Sequence, residues 1–170
     1  AGKDITRTPP HLKRKLGIVY VPQEHALFQD LSVRDNLRLG LFSDRNIDAV
    51  FDQVGQWFPV LTQRLNQRAG TLSGGEQKML IMARALMAKP DVLLLDEVTE
   101  GLQPSVVDRL ADVLVRFRRE VGTSMIVVEQ HLPFALGIAG RYLVFKRGEI
   151  VDAAAVDSDA AVRIESHMRI

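Results

Sequence analysis

The chain has 170 residues, 46% of them hydrophobic and 25% charged, with a formal net charge of +1. This length and composition suit one soluble globular domain, and so small a net charge argues against a nucleic-acid partner, which usually needs a clustered basic face. Cysteine is absent, which excludes a disulfide scaffold or a thiolate metal site, and no apolar run approaches the roughly 18 residues of a membrane span.

The first predicted element is a strand over residues 18–21, a short apolar and β-branched run. Continuous apolar runs of this kind are typical of parallel strands that are covered on both faces. Gln23 follows the strand almost directly, at the end where open parallel sheets bind their ligands. We therefore expect its side chain at a ligand-binding edge.

Residues 24–88 predict helices rather than strands. Ser32, followed three residues later by Asp35, is typical of a helix N-terminus. A second helix is predicted by the apolar stripe at residues 47, 50, 51, 54 and 58, which Pro59 ends. A third helix is predicted over residues 74–87. Together they predict a helical subdomain inserted between two strands of one sheet.

Residues 92–128 predict a strand, a helix and a second parallel strand. The strands are the apolar runs 92–95 and 125–128. Between them, residues 105–120 have apolar positions at helical spacing, with Pro104 before them and Gly122 after them. This unit predicts an α/β fold with a mostly parallel sheet.

The last predicted element is a hairpin, whose strands 142–145 and 149–151 flank Lys146, Arg147 and Gly148. The residues after Val151 are rich in Ala and Asp and are uninformative about secondary structure. We therefore divide the single domain into three parts, which are an α/β core (1–23 and 89–153), a helical subdomain (24–88) and a C-terminal tail (154–170).

The motif LSGGEQ at residues 72–77 predicts an anion site at a helix N-terminus. Ser73 and Glu76 have the spacing of a capping box, so the helix begins here. Its unpaired N–H groups and the positive end of its dipole favour an anion, and Gly74 and Gly75 let a phosphate approach the backbone. For this motif alone, an ordinary capped helix is the alternative.

The motif VLLLDE at residues 92–97 places Asp96 and Glu97 at the C-terminal end of an apolar strand. Ligands bind at that edge of an open parallel sheet. One acid can hold Mg²⁺, directly or through water, and the other can orient or deprotonate an attacking water. Gln23 and His131 follow two other strands and are expected at the same edge, where an amide can ligate a metal and an imidazole can donate to a terminal phosphate.

In order and spacing, these motifs resemble those of the ATP-binding subunits of ABC transporters over nearly the whole chain. The resemblance matches Gln23 to the Q-loop, residues 72–77 to the signature motif, 92–96 to Walker B, Glu97 to the catalytic glutamate, 100–104 to the D-loop and His131 to the H-loop.

Within that family, the chain is most similar to importers of the branched-chain amino acid and urea type. The similarity is carried by residues 67–97, 99–107 and 128–131. The sequence Glu-Gly-Leu-Gln-Pro at residues 100–104 looks most like a subunit that serves urea or short-chain amides.

The resemblance implies a P-loop NTPase-like fold of the RecA type and an ATPase that uses ATP and Mg²⁺ to drive transport. It implies catalytic roles for Glu97 and His131 and Mg²⁺ ligation by Gln23 and Asp96. It also implies nucleotide contacts from Gln23, Asp96 and the signature residues Ser73, Gly74, Gly75, Glu76 and Gln77.

The resemblance also implies partners and a location. The expected partners are transmembrane permease subunits, a second ATP-binding subunit whose signature motif completes each nucleotide site, and, indirectly, a substrate-binding protein. The expected location is peripheral, at the cytoplasmic face of the membrane.

The chain departs from the family pattern in three respects. No GxxxxGK[ST] loop occurs in its 170 residues, so we expect an N-terminally truncated domain that neither binds ATP tightly nor hydrolyses it alone. Val98 stands where the family usually has proline, and Gln103 where it usually has aspartate. Two other functions stay open, which are an ABC ATPase outside transport and a non-catalytic dimerisation or docking module.

Overall fold

Three parallel strands, β1 (Ile18–Val21), β2 (Val92–Asp96) and β3 (Ser124–Val128), form the central sheet in that spatial order. The computed structural model describes residues 2, 4–23, 26–41 and 47–168, apart from the side chain of Ile47, which belongs to the predicted apolar stripe. Tyr20 lies opposite Leu94, which in turn lies opposite Ile126. The three predicted strands and the α/β fold are confirmed.

The segment between β1 and β2 is helical in its described parts. Ser32 begins the first helix after β1, because its side chain accepts a hydrogen bond from the Asp35 N–H. Pro59 ends the apolar stripe as predicted, but it also begins a short helix, since its fixed φ suits a first helical turn. The helices up to β2 are α1 (Pro10–Lys15), α2 (Val33–Arg38), α3 (Ile47–Trp57), α4 (Pro59–Thr62) and α5 (Gly74–Met87), with a 3₁₀ turn at Ala69–Thr71.

Helix α6 (Pro104–Val121) connects β2 to β3 and packs the helical segment against the sheet. It begins with Pro104 in its first turn and ends at Gly122, whose φ of 78° is the left-handed value that a helix C-terminus favours. The rings of Trp57 and Phe117 meet edge-on with 5.6 Å between centroids. Both lie in one hydrophobic core with the buried residues of the sheet. The division between an α/β core and a helical subdomain stays a prediction.

The central sheet is covered on only one face in the described part of the chain. Leu93 and Leu95 are buried in the main core together with residues of α5 and α6. On the opposite face Tyr20, Ile126 and Val128 are 55%, 59% and 56% exposed. The prediction that these strands are covered on both faces is therefore wrong for this face, because the helices that pack on the sheet lie on the side of Leu93 and Leu95.

After β3 the chain forms a smaller unit, made of α7 (Leu132–Ile138), a hairpin of β4 (Arg141–Lys146) and β5 (Glu149–Ala155), and α8 (Ala160–Met168). Arg147 and Gly148 connect the hairpin with φ values of 52° and 85°, as a two-residue hairpin turn requires. The sequence after the hairpin is uninformative, and the structure forms α8 there, with Ile164 packed on Tyr142 in a second small core. Within the described ranges, no helix combines the length and apolarity needed to cross a bilayer.

Candidate functional site

The acidic pair lies at the C-terminal edge of the central sheet. Asp96 is the last residue of β2, and Glu97 follows it with a φ of 45°. A positive φ is uncommon outside glycine, and such strained residues concentrate at functional sites. The Glu97 N–H donates a 2.9 Å hydrogen bond to the Val128 carbonyl, which fixes the turn to the end of β3. The neighbouring strand therefore holds Glu97 in this conformation.

Both oxygens of the Glu97 carboxylate accept hydrogen bonds from glutamine amides. Gln23 Nε2 lies 2.8 Å from Glu97 Oε2, and Gln130 Nε2 lies 2.7 Å from Glu97 Oε1. Gln23 Nε2 also donates to the Glu100 carboxylate. The amides come from the loops after β1 and β3, so three strand ends meet at Glu97. The structure thus brings together Gln23, Asp96 and Glu97, which the sequence predicts at one edge.

Asp96 is held by a residue that the sequence analysis misses. The Tyr20 hydroxyl donates to Asp96 Oδ2 at 2.8 Å, and this hydrogen bond raises the pKa of the Tyr20 phenol above its ordinary value. Tyr20 belongs to the same face of the sheet as Asp96, because it lies opposite Leu94, two residues earlier in β2. Alternation along β1 could therefore have indicated it, since every second residue shares a face.

The oxygen donors at this edge fit Mg²⁺. Within the described ranges, no cluster of three or more His, Cys, Asp or Glu side chains is arranged to hold a metal ion, so a site made only of protein carboxylates is not formed there. Mg²⁺ instead usually takes one or two carboxylates together with phosphate oxygens and water. Asp96 and Gln23 can supply protein oxygens of this kind.

The signature residues form a capping box at the start of α5. Ser73 Oγ accepts from the Glu76 N–H at 3.4 Å, and Glu76 Oε2 accepts from the Ser73 N–H at 2.9 Å. That bond from the Ser73 backbone is the main reason why the pKa of Glu76 lies below its ordinary value, with Arg64 at 3.4 Å contributing to the same effect. Gln77 turns back and donates to the Leu72 carbonyl at 3.1 Å. Glu76 and Gln77 thus stabilise the helix start itself.

The two signature glycines differ in their surroundings. A Cβ added at Gly74 would meet no atom within 4 Å, whereas one at Gly75 would lie 3.0 Å from Val106 Cγ2 at the start of α6. Gly74 and Ser73 are exposed. The first turn of α5 therefore presents an open surface at Gly74 and packs closely on α6 at Gly75.

The signature residues and the carboxylates have separate sets of hydrogen-bond partners in the described chain. Those of Asp96 and Glu97 are on β1, β3 and the loops that follow, whereas those of Ser73 and of the Glu76 carboxylate are on each other, on Gln77 and on Arg64. Lys78 Nζ of α5 donates to the Gln23 carbonyl at 2.6 Å. Helix α5 therefore contacts the loop that carries Gln23, but its own first turn is not part of the Glu97 site.

Within the described residues, no hydrogen bond joins the His131 side chain to Glu97. His131 is exposed, it precedes the first residue of α7, and its side chain caps no N–H of that helix. The residue that reaches Glu97 from this loop is Gln130. The role predicted for His131 stays a prediction, and no signal in the sequence analysis distinguishes these two adjacent polar residues.

The parallel sheet and the helices that pack on it form an α/β domain with the P-loop NTPase fold. The crystal structure of a nucleotide-free ATP-binding cassette from an ABC transporter superimposes with a TM-score of 0.79 and 22% identity, over 96% of this chain and 70% of that chain. At that identity, the likeness shows the fold alone. The family model for the ABC transporter matches residues 1–100. The chain belongs to the ABC transporter family.

Two similar proteins are ATP-binding proteins of amino acid transport. The chain is 40% identical over 152 residues to the high-affinity branched-chain amino acid transport ATP-binding protein BraG of Pseudomonas aeruginosa. It is 38% identical over 156 residues to the "probable branched-chain amino acid transport ATP-binding protein LivF" of Archaeoglobus fulgidus. Each match covers 88% of this chain, and the chain spans 65% and 64% of the lengths of the two relatives.

Proposed function

We propose that the chain is the nucleotide-hydrolysing part of an ATP-binding subunit of an ABC importer. The observation that carries the proposal is the geometry at Glu97, where amides from two loops hold both oxygens of an acid that directly follows Asp96. The names of BraG and LivF support branched-chain amino acids as the transported substrate. Residues 100–104 favour urea or short-chain amides as the alternative.

The proposed reaction is hydrolysis of ATP, in which a water attacks the terminal phosphorus and the bond to the bridging oxygen breaks, so that ADP leaves with that oxygen. Bound Mg²⁺ would neutralise charge on the phosphates. Asp96 and Gln23 would provide its protein oxygens. Glu97 orients the water and accepts its proton. A carboxylate can accept about four hydrogen bonds, so each Glu97 oxygen can accept from water while an amide still restrains it.

A second ATP-binding subunit would complete the site. Ser73 and Gly74 are exposed at the first turn of α5, and within the described residues the hydrogen bonds of Ser73 go to Glu76 and Gln77 and not to Asp96 or Glu97. Backbone N–H groups at a helix start favour a phosphate. We infer that this turn contacts a nucleotide held mainly by the other subunit, and that closure of the pair drives a transmembrane permease from the cytoplasmic face of the membrane.

The test is Glu97→Gln in the natural protein that contains this sequence. The variant keeps the size of the side chain but removes the proton acceptor, so turnover at saturating Mg-ATP should fall by about 100-fold or more while ATP still binds. Glu149→Gln is the matched control, because Glu149 is exposed on β5. Full turnover by Glu97→Gln would contradict the proposed role.

Copurification and uptake experiments distinguish an importer subunit from an ABC ATPase outside transport and from a docking module. An importer subunit should copurify with a permease and support ATP-dependent uptake of labelled leucine or, for the alternative substrate, labelled urea. Hydrolysis without a permease would indicate an ABC ATPase outside transport, and dimerisation without hydrolysis would indicate a docking module. The expectation that the 170-residue chain alone does not hydrolyse ATP stays a prediction.

A further inference from the structure

Glu100 lies on a turn that its neighbours hold in place. The Thr99 N–H and hydroxyl both donate to the Glu129 carboxylate, each at 2.9 Å, which ties the turn to the loop after β3. The Leu102 N–H donates to the Thr99 carbonyl at 3.2 Å and closes the turn. Glu100 lies between these two residues and is exposed. Its backbone is therefore fixed, and its carboxylate extends to the loop after β1, where it accepts from Gln23.

The side chain of Gln23 joins this turn to the candidate site. Its Nε2 donates to Glu97 Oε2 at 2.8 Å and also to the Glu100 carboxylate. The Gln23 backbone carbonyl accepts from Lys78 Nζ at 2.6 Å, so α5 holds the main chain of the same residue. In the described chain, both hydrogen bonds of the Gln23 side chain leave from Nε2. The protein groups that fix this residue thus do not use its amide oxygen.

Two carboxylates on one amide determine which end of the amide faces them. An ionised carboxylate only accepts, and the NH₂ group of glutamine has two hydrogens, so each hydrogen can serve one carboxylate. A half-turn of the amide would set its oxygen against two acceptors and break two charge-assisted hydrogen bonds, which are stronger than neutral ones. A single carboxylate would oppose that rotation less strongly. The pair of Glu97 and Glu100 therefore turns Gln23 Oε1 away from the acids.

We propose that Glu100 is a positioning residue for the Mg²⁺ site and acts through Gln23. Together with Glu97, it holds the nitrogen of the Gln23 amide toward the acids, so that Oε1 stays available as a metal ligand. This proposal rests on the proposed hydrolysis of ATP, in which Gln23 is one of the Mg²⁺ ligands. Residues that orient a metal ligand are typically worth about 10- to 100-fold in metal affinity or activity, so the effect of Glu100 is measurable.

The contact is tested first without nucleotide or metal, by NMR of the side-chain amides in the natural protein. The Gln23 signals are those lost in Gln23→Met. Glu100→Ala should move the Gln23 signals, because one amide hydrogen loses its acceptor. Glu149→Ala is the control and should leave them in place, since Glu149 is exposed on β5. Gln23 signals that stay unmoved in Glu100→Ala would overturn the proposal.

The role is tested by the Mg²⁺ dependence of ATP hydrolysis in the natural protein. Glu100→Ala should raise the Mg²⁺ concentration for half-maximal turnover by about 10-fold, with a smaller change in kcat at saturating Mg²⁺. Glu100→Gln keeps the length of the side chain but offers only a neutral acceptor, so its Mg²⁺ requirement should lie between those of Glu100→Ala and the unmodified protein. Melting temperatures of the variants separate misfolding from mispositioning.

A double-mutant cycle distinguishes positioning from a direct effect of the Glu100 charge on the metal ion. If Glu100 acts through Gln23, Glu100→Ala should have no further effect on the Mg²⁺ requirement of Gln23→Ala, because no amide remains to be held. A direct attraction between Glu100 and Mg²⁺ would instead give the same increase with and without Gln23, and that result would overturn the proposal.

The two proposals fail in different ways. If the unmodified protein does not hydrolyse ATP, the proposed function fails, while the NMR experiment still decides whether Glu100 holds the Gln23 amide. If the protein hydrolyses ATP, but Glu100→Ala changes neither the Gln23 signals nor the Mg²⁺ dependence, the proposed function stands and the role of Glu100 is wrong.

Discussion

At the scale of single residues, the exposed face of the sheet carries a polar pair beside its apolar side chains. Tyr20 donates to Asp96 across the face that also bears Ile126 and Val128. Ionisation of the phenol would remove this hydrogen bond and place two negative charges side by side. The Tyr20 pKa is raised for this reason, mainly by the hydrogen bond to Asp96.

The raised pKa gives a pH prediction with a definite sign. The neutral phenol is favoured in the folded protein, so its stabilising effect is full at neutral pH and is lost as pH rises above the ordinary tyrosine value of 10.0. Asp96→Asn should lower the Tyr20 pKa toward that value. Ultraviolet absorbance of the phenolate measures it, and Tyr20→Phe identifies the contribution of Tyr142, since the chain has two tyrosines. An unchanged titration in Asp96→Asn, as in the control Asp91→Asn, would contradict the contact.

For single residues of the candidate site, the sequence predicts some positions and not others. The positions of Gln23, Asp96 and Glu97 follow from the rule that parallel strands end at a common edge, so their convergence is predictable. The sequence does not predict which of Gln130 and His131 contacts Glu97. Both lie beyond the last residue of β3, where strand alternation no longer fixes which side chain faces the site.

At the scale of secondary-structure elements, α5 depends on the capping box of Ser73 and Glu76. Ser73→Ala should cost about 1 kcal/mol of stability, because an N–H in the first turn of the helix loses its acceptor. Urea unfolding measures this. Ser105→Ala is the control, since Ser105 lies in the first turn of α6 but caps no N–H there. Equal stabilities of the two variants would rule out the cap as a source of stability.

The pKa of Glu76, the partner of Ser73 in the capping box, predicts how the stability that the box contributes varies with pH. The folded-state pKa of Glu76 is lowered, so its contribution is present at neutral pH and is lost as pH falls below the ordinary glutamate value of 4.5. The destabilisation by Glu76→Ala should therefore shrink in acid. A constant difference across that range would show that packing, and not the charged hydrogen bond, accounts for the effect of the substitution.

The sequence predicts those helices whose ends are marked by a capping residue, a proline or a glycine. Helices α5 and α6 have a capping box or a proline at one end and, for α6, a left-handed glycine at the other. Helix α8 depends instead on contacts of Ala160 and Ile164 with Tyr142, more than ten residues away along the chain. The composition of the chain after residue 154 does not indicate that contact, so α8 could not be predicted from the sequence.

At the scale of the whole molecule, the two faces of the sheet differ although their sequences are equally apolar. Leu93 and Leu95 alternate along β2 with Leu94, and periodicity alone cannot show which side the helices cover. The structure places α5 and α6 on the side of Leu93 and Leu95. The described residues leave Ile126 exposed on the other side, and they pair β3 with β2 along one edge.

An exposed apolar face beside an unpaired strand edge favours association between molecules. We therefore expect the 170-residue chain to self-associate as its concentration rises, and Ile126→Thr to reduce that association. Threonine keeps the β-branched shape that suits a strand, and Ile126 is 59% exposed, so thermal unfolding should change little. Sedimentation velocity measures the association. Val162→Thr on α8 is the control, because Val162 is 70% exposed but distant from the sheet in the chain. A chain that stays monomeric at all concentrations, or an equal effect of both substitutions, would show that the open face of the sheet does not drive association.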